Sequence, residues 1–154
     1  MPEPSVGSIF DATDRTRILA RLDFLQAEGP RLWGKMDPAQ MLAHCAVAIE
    51  LPLANPNRKQ LWIGKLFAPI VRAKFLGDAP FPKSSPTDPA FIVGDRRSFE
   101  TEKARLLAVL ARFVERGSEA ADGTVHTFFG RMSGAEWGRL IYKHLDHHLR
   151  QFGV

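Results

Sequence analysis

The sequence predicts an all-α fold, built as a helical bundle with one long crossover connection and short extra helical segments. Apolar residues recur at helical spacing in four or five separate stretches, and most stretches begin at a residue that caps helices well. The alternating pattern of β-strands is scarce. Connections of mixed length between the stretches favour a bundle in which at least one connection is long.

Length and composition predict one globular domain over residues 1–154. A chain of 154 residues can bury one apolar core without help from disulfides or a structural metal. Its apolar share of 45% and charged share of 25% are those of an ordinary globular protein. The net charge of +4 is spread over scattered lysines and arginines, and no groove-reading motif is present. We therefore expect no nucleic-acid partner.

Several features bear on the compartment in which the protein works. No stretch approaches the ~20 apolar residues that a membrane span needs, and residues 1–5 lack the pattern of a secretion signal. The single cysteine, Cys45, excludes an internal disulfide and suggests a reducing compartment. We expect a cytoplasmic location and no membrane partner. Cys45 lies in an apolar helical stretch and is expected to be a buried core residue, with a reactive thiol as the alternative.

The first two helices have clear boundaries. The first is predicted over residues 14–28 and stops at Gly29, which a proline follows. The second is predicted over residues 38–53. Asp37 is a favourable N-cap, a proline occupies the first helical position, and Gln40 completes the pattern of a capping box.

Two further helices are predicted in the middle of the chain. An apolar stretch over residues 59–76 is typical of a helix that Pro69 kinks or divides. Ser98 then caps a strongly amphipathic helix that runs to Arg116. Gly117 is the expected stop signal of that helix.

Two long connections and a final helix complete the chain. We expect residues 77–95 to be a loop that is functional or covers something, because prolines remove many of its N–H donors. Residues 118–132 are also predicted to be a loop. A capping box of Ser133 and Glu136 then opens the last helix, which ends near residue 152. The prolines of the first loop are Pro80, Pro82, Pro86 and Pro89.

Histidines in two of these helices form the main chemical signal. His144 and His148 stand four residues apart in the last helix and therefore project from one face, a spacing that lets two imidazoles bind one metal ion. His44 in the second helix is the candidate third ligand. All three lie two to four turns past their helix caps, well inside the bundle. A hydrogen-bonded core histidine at His44, or an exposed polar face for the pair, is the alternative reading.

The surroundings of these histidines favour the metal site. Buried imidazoles need polar partners, and a shared divalent cation would supply three partners at once. His147 is expected at the surface or beside the site, and His126 could cover the pocket from its loop. The apolar neighbours are Leu140, Ile141, Leu145 and Leu149 around the pair, and Leu42, Val47 and Ile49 around His44.

Two phrases of the sequence resemble the DinB/YfiT-like superfamily of metal-binding helical bundles. One is the run from Met36 to His44, and the other is the closing run from Trp137 to Gly153, which contains the pattern His-x-x-His-His-x-x-Gln. They look most like an uncharacterised branch of that superfamily. The resemblance implies a four-helix bundle with a long crossover, often a homodimer, in which His44, His144 and His148 bind a divalent ion.

The resemblance also implies a class of chemistry. Relatives of known activity are thiol-dependent, either S-transferases that use low-molecular-weight thiols or an isomerase. Their closing helices commonly read His-His-Arg-Gly-Gln, whereas this chain has Leu149 and Arg150 between His148 and Gln151.

Two functions are compatible with these observations. The first is a metal-dependent enzyme, such as a thiol S-transferase or a hydrolase, in which the open position of a three-histidine site activates a thiol or water toward a small electrophilic substrate. The second is a non-catalytic metal-binding or stress-response module that acts through dimer or partner contacts of the third helix. Three imidazoles suit zinc, nickel, iron or copper, of which zinc or nickel is expected first.

Overall fold

The computed structural model describes residues 6–83, 85 and 87–154, and over these residues the fold is all-α, as the sequence predicted. The predictions that concern Met1–Ser5 and Pro86 lie outside the described residues. The helices are α1 (Ala12–Phe24), α2 (Pro38–Ala54), α3 (Trp62–Leu76), α4 (Phe99–Ala121) and α5 (Gly134–Gln151), with a 3-10 turn at Pro89–Phe91.

The helices that carry the histidines begin where the capping patterns predict. In α2 the carboxylate of Asp37 accepts from the backbone N–H of Gln40, and the Gln40 side chain accepts from the Asp37 N–H. The same reciprocal box joins Ser133 and Glu136 at the start of α5. Each box satisfies N–H donors that a helix terminus otherwise leaves without partners, which fixes the first residue of both helices.

Other helix boundaries differ from prediction. Helix α1 starts earlier than expected because Asp11 caps it, and it ends at Phe24, four residues early, where Leu25 turns inward in an extended conformation. Helix α3 begins at Trp62, three residues later than predicted, and the N–H of Leu61 just before it donates to the carbonyl of Thr127.

Pro69 does not divide α3, which continues through it from Trp62 to Leu76. Its ring is exposed. Proline has no N–H, so the carbonyl of Lys65 lacks its helical donor, and Lys65 is itself exposed.

The region after α4 contains more order than predicted. Gly117 interrupts the helix with a left-handed φ of 80°, as a stop signal would, but a short helical segment resumes and reaches Ala121. The loop predicted over residues 118–132 is wrong in part, because it holds an antiparallel hairpin of β1 (Val125–His126) and β2 (Gly130–Arg131). Strands of two residues are too short to leave an alternating pattern in the sequence.

Helices α1, α2, α4 and α5 supply most of the core. Helix α2 packs along α4, and α5 contacts each of the other four helices. Trp137, Leu106 and Leu145 are buried at the centre, and Cys45 is completely buried among them, as predicted. Burial raises the pKa of the Cys45 thiol. Across the described ranges, no helix combines the length and the apolar character that crossing a bilayer requires.

Candidate metal centre

The three predicted histidines meet at one point between α2 and α5. The Nε2 atom of His144 lies 2.9 Å from Nε2 of His44 and 3.1 Å from Nε2 of His148. One ring nitrogen from each of the three residues lies within 4.8 Å of the others, so that together they could hold a metal ion. His44 and His148 are buried, and His144 is partly exposed.

The orientation of the His44 ring is set by a backbone carbonyl. Nδ1–H of His44 donates to the carbonyl oxygen of Phe91, at 2.7 Å. Because a carbonyl oxygen only accepts, Nδ1 carries the proton and Nε2 presents its lone pair. Phe91 closes the 3-10 turn of the long loop before α4, and this loop therefore positions a residue of the site.

The orientation of the His148 ring is set by a side-chain amide. Nδ1–H of His148 donates to Oε1 of Gln151, at 2.7 Å, so Nε2 of this ring also presents a lone pair. Gln151 is itself confined, because its amide lies against the backbone of Gly34. A Cβ at Gly34 would come 2.6 Å from the amide nitrogen, and Gly34 has a φ of 89°, which favours glycine.

Two nitrogens with lone pairs, those of His44 and His148, therefore face Nε2 of His144. In the neutral ring, Nε2 of His144 can donate to one neighbour at most, which leaves another pair of nitrogens in acceptor-to-acceptor contact. Zinc held at its usual 2.0–2.1 Å by three nitrogens in tetrahedral geometry separates them by about 3.3 Å. The 2.9 and 3.1 Å separations are close to that value. The site fits a divalent ion, and the outward contacts of His44 and His148 match the supporting bonds usual for metal-bound imidazoles.

The electrostatics keep these rings neutral. Burial lowers the pKa of His44, against a smaller opposite effect of the hydrogen bond to Phe91. Burial, followed by the proximity of His44, lowers the pKa of His148 to about 3. For His144, burial holds the pKa well below its usual value, and repulsion from His148 and His44 in their protonated forms lowers it further. Neutral imidazole is the form that binds metals.

One family profile, described as "Protein of unknown function (DUF1569)", matches residues 9–153. The chain belongs to this family. The matched range includes the three histidines and the residues that orient them, Gly34, Phe91 and Gln151. No curated protein and no solved structure is significantly similar to the chain.

His147 lies beside the site without joining the three converging nitrogens. Its ring is 5.1 Å from that of His148, and it packs against Trp33 and Phe81 with ring centroids about 6 Å away. The residue is partly buried, and burial lowers its pKa. It thus occupies a position next to the site, one of the two places expected from its register on the helix.

His126 has a structural task in this DUF1569 fold. Its Nδ1 accepts from the backbone N–H groups of Phe128 and Phe129, both at 3.1 Å, which closes the hairpin turn. The ring stacks on Phe129, and burial lowers the pKa of His126 to about 4. From the sequence we expected that His126 could cover the pocket, whereas the contacts of its Nδ1 atom are with the backbone of the hairpin turn.

The described residues of the long loop over residues 77–95 make several contacts with the rest of the fold. Thr127 donates to Asp88, Arg58 pairs with the same carboxylate, and the ring of Phe81 contacts that of His147. Together with the Phe91 carbonyl, these contacts join the described part of the loop to the hairpin and to the histidines, and a functional or covering role for the loop stays a prediction. Sequence reasoning missed Phe91 altogether because a backbone carbonyl carries no residue-type signal. Gln151 was visible as the residue three positions after His148, on the same helical face.

Proposed function

We propose that the protein is a metal-dependent enzyme that holds a divalent cation through His44, His144 and His148. The observation that carries the proposal is the convergence of three Nε2 atoms, two of which have lone pairs aimed by fixed partners of Nδ1. Three protein ligands leave a coordination position open, which is typical of catalytic sites rather than closed structural ones. Zinc or nickel is the proposed ion, because both accept neutral imidazoles.

An ion bound at this site would lower the pKa of a bound thiol or water and so supply a nucleophile at neutral pH. The chain's own residues orient the ligands and limit access. Phe91 and Gln151 hold the rings of His44 and His148, and the loop that carries Phe91 lies beside them.

The nucleophile is proposed to come from outside the protein. The only thiol of the chain, Cys45, is completely buried and its pKa is raised, so it is poorly suited to attack a substrate. An exogenous low-molecular-weight thiol or a water molecule attacking a small electrophile is the reaction that remains, as in an S-transferase or a hydrolase. The resemblance to thiol-dependent DinB/YfiT-like proteins supports the thiol and also a homodimer.

A second candidate is a non-catalytic metal-binding or stress-response module. The observation that favours it is a group of large apolar side chains exposed on α3, which suits contact with a partner. In that case the ion serves stability, and its coordination shell does not admit an added ligand.

Cobalt substitution distinguishes the two candidates. The protein is purified without chelators, its metal content is measured, and Co²⁺ replaces the native ion. The enzyme hypothesis expects about one ion per chain and a visible spectrum that changes when a small thiol such as 2-mercaptoethanol is added. A cobalt spectrum that is insensitive to thiols and to anions such as azide favours the module. Absence of any stoichiometric binding of Zn²⁺, Ni²⁺ or Co²⁺ contradicts both.

A further inference from the structure

The large apolar side chains of helix α3 are exposed to solvent. Trp62 is 75% exposed and Ile70 74%, whereas the buried residues of the helix are Gly64, Ala68 and Leu76. This distribution is the reverse of the usual one, in which a surface helix turns its large apolar residues to the core. The large apolar residues on the exposed side are Trp62, Ile63, Leu66, Phe67 and Ile70, and we call them the α3 face.

The α3 face is held in a fixed orientation. Gly64 lies so close to the carbonyl of Phe128 that a Cβ would collide with it. Arg72 donates to the carbonyl of Phe129 and pairs with Glu136 at 2.6 Å. At the other end, the ammonium group of Lys143 donates to the carbonyls of Phe75 and Gly77. The helix is therefore bound firmly to the hairpin and to α5 while its apolar residues stay outside.

The charged side chains of the segment that carries this face have a single sign. Residues 51–77 contain no Asp or Glu. Lys59, Lys65 and Lys74 are exposed, and within the described part of the chain none of them forms an ion pair. Pairing of two α3 faces around a two-fold axis would bring the unpaired lysines of both copies to one interface, which like-charge repulsion opposes. The charges therefore favour an anionic partner over a second copy.

We propose that α3 binds the surface of an anionic lipid bilayer, with its axis in the plane of the interface. Helices that lie in membrane interfaces combine Trp, Phe and Leu on the side toward the acyl chains with lysines that contact anionic headgroups. The α3 face supplies the apolar side chains, and the lysines that contact headgroups are Lys59, Lys65 and Lys74. This proposal departs from the sequence-based expectation of no membrane partner. That expectation rested on the lack of a stretch long enough to span a bilayer, which does not bear on a helix that lies in the interface. The proposal is independent of the metal site.

Vesicle sedimentation of the full chain tests the proposal. We expect the protein to bind vesicles of phosphatidylcholine mixed with phosphatidylglycerol, and to bind vesicles of phosphatidylcholine alone less. Added salt weakens the binding because headgroup attraction is screened. We expect Leu66→Glu with Ile70→Glu to abolish partitioning and Lys65→Glu with Lys74→Glu to lower it at least tenfold, at about fivefold for each lysine lost. Phe24→Glu is the matched control, because Phe24 is also 75% exposed but lies on α1, and it leaves partitioning unchanged.

Two further measurements separate the alternatives. The fluorescence of Trp62 shifts to the blue on vesicle binding, and Trp62→Phe removes the shift while partitioning persists. Far-UV circular dichroism and metal content confirm that the variants fold. Partitioning that is equal on neutral and anionic vesicles overturns the proposal. So does partitioning that survives Leu66→Glu with Ile70→Glu. No vesicle binding, together with a dimer in sedimentation equilibrium that Ile70→Glu dissociates, also overturns it and assigns the α3 face to a second copy.

Discussion

Oε1 of Gln151 lies 2.7 Å from Nδ1 of His148, three residues earlier on the same helix. This contact decides which nitrogen of His148 carries the proton, and hence which one can face a metal ion. His44 is controlled in the same way by a carbonyl of a distant loop. The candidate site thus consists of three converging rings and two acceptors that hold two of those rings in the metal-binding tautomer.

Removal of a converging ring removes the metal. We expect His144→Ala and His148→Ala each to abolish stoichiometric metal binding, measured by plasma emission spectrometry after purification without chelators. Far-UV helicity stays largely intact because the core of α5 is made by other residues, such as Trp137 and Leu145. His147→Gln is the control and retains the ion, because His147 is not one of the converging residues. Full occupancy in both alanine variants would refute the ligand assignment.

Loss of the hydrogen-bond acceptor for His148 lowers the affinity for the metal ion without removing a ligand. Gln151→Leu leaves Nδ1–H of His148 without its partner, and the ring is then free to change tautomer. Affinity for Zn²⁺ falls about 10–100-fold in competition with a chromogenic chelator. Gln151→Glu keeps an acceptor oxygen and retains most of the affinity. Equal affinities of the leucine variant and the wild type would show that Gln151 has no part in orienting the ring.

Substitution of Gly34 acts on the same contact from a distance. Gly34→Ala strains a backbone with φ of 89° and pushes a Cβ against the amide of Gln151. We expect a loss of about 1 kcal/mol in the free energy of unfolding of the metal-free protein and weaker Zn²⁺ binding. The two effects are measured by urea denaturation and chelator competition. In the Gln151→Leu background the substitution costs less additional metal affinity, and full additivity would argue against a shared pathway.

His126 makes the hairpin sensitive to acid. Its pKa is about 4 in the folded protein, against about 6.5 in the unfolded chain. Below pH 6.5 the unfolded chain therefore binds a proton that the folded protein does not, so the free energy of unfolding falls as pH decreases from about 6.5 to about 4. His126→Asn keeps an acceptor but does not titrate. In metal-free protein we expect it to lose on the order of 2 kcal/mol less stability than the wild type over that range.

Urea denaturation at several pH values measures this difference. Chelator is present for both proteins, so that release of metal does not contribute. Identical pH dependence of the two proteins would show that His126 takes up its proton equally well in the folded state.

The close approach of α3 to the hairpin limits substitution at Gly64. Gly64→Ala places a methyl group against the Phe128 carbonyl, and because the obstacle is backbone, the helix must shift. We expect destabilisation by about 1–3 kcal/mol in urea denaturation. Gly94→Ala is the matched control, since a Cβ there meets nothing within 4 Å, and it leaves stability within about 0.5 kcal/mol. Equal stability of the two variants would mean that α3 can move away from the hairpin without cost.

Much of the helical architecture could be predicted because its signals are local. The capping boxes at Asp37 and Ser133 act within one turn, and they place the starts of α2 and α5 correctly. The end of α1 and the hairpin after α4 were missed. Leu25 leaves the helix to reach the core, and the hairpin is fixed by contacts such as that between the Leu61 N–H and Thr127, which are remote in sequence.

The candidate site also has one part that local sequence signals predict and one part that depends on tertiary contacts. The sequence by itself determined that His144 and His148 share a helix face, because a spacing of four residues on a helix has one geometric outcome. Only the tertiary structure decided that His44 meets them, that the carbonyl of Phe91 orients its ring and that Gly34 confines Gln151. These contacts join residues about 50 to 120 positions apart, and it is the packing of the whole chain, rather than any local preference, that brings such residues together.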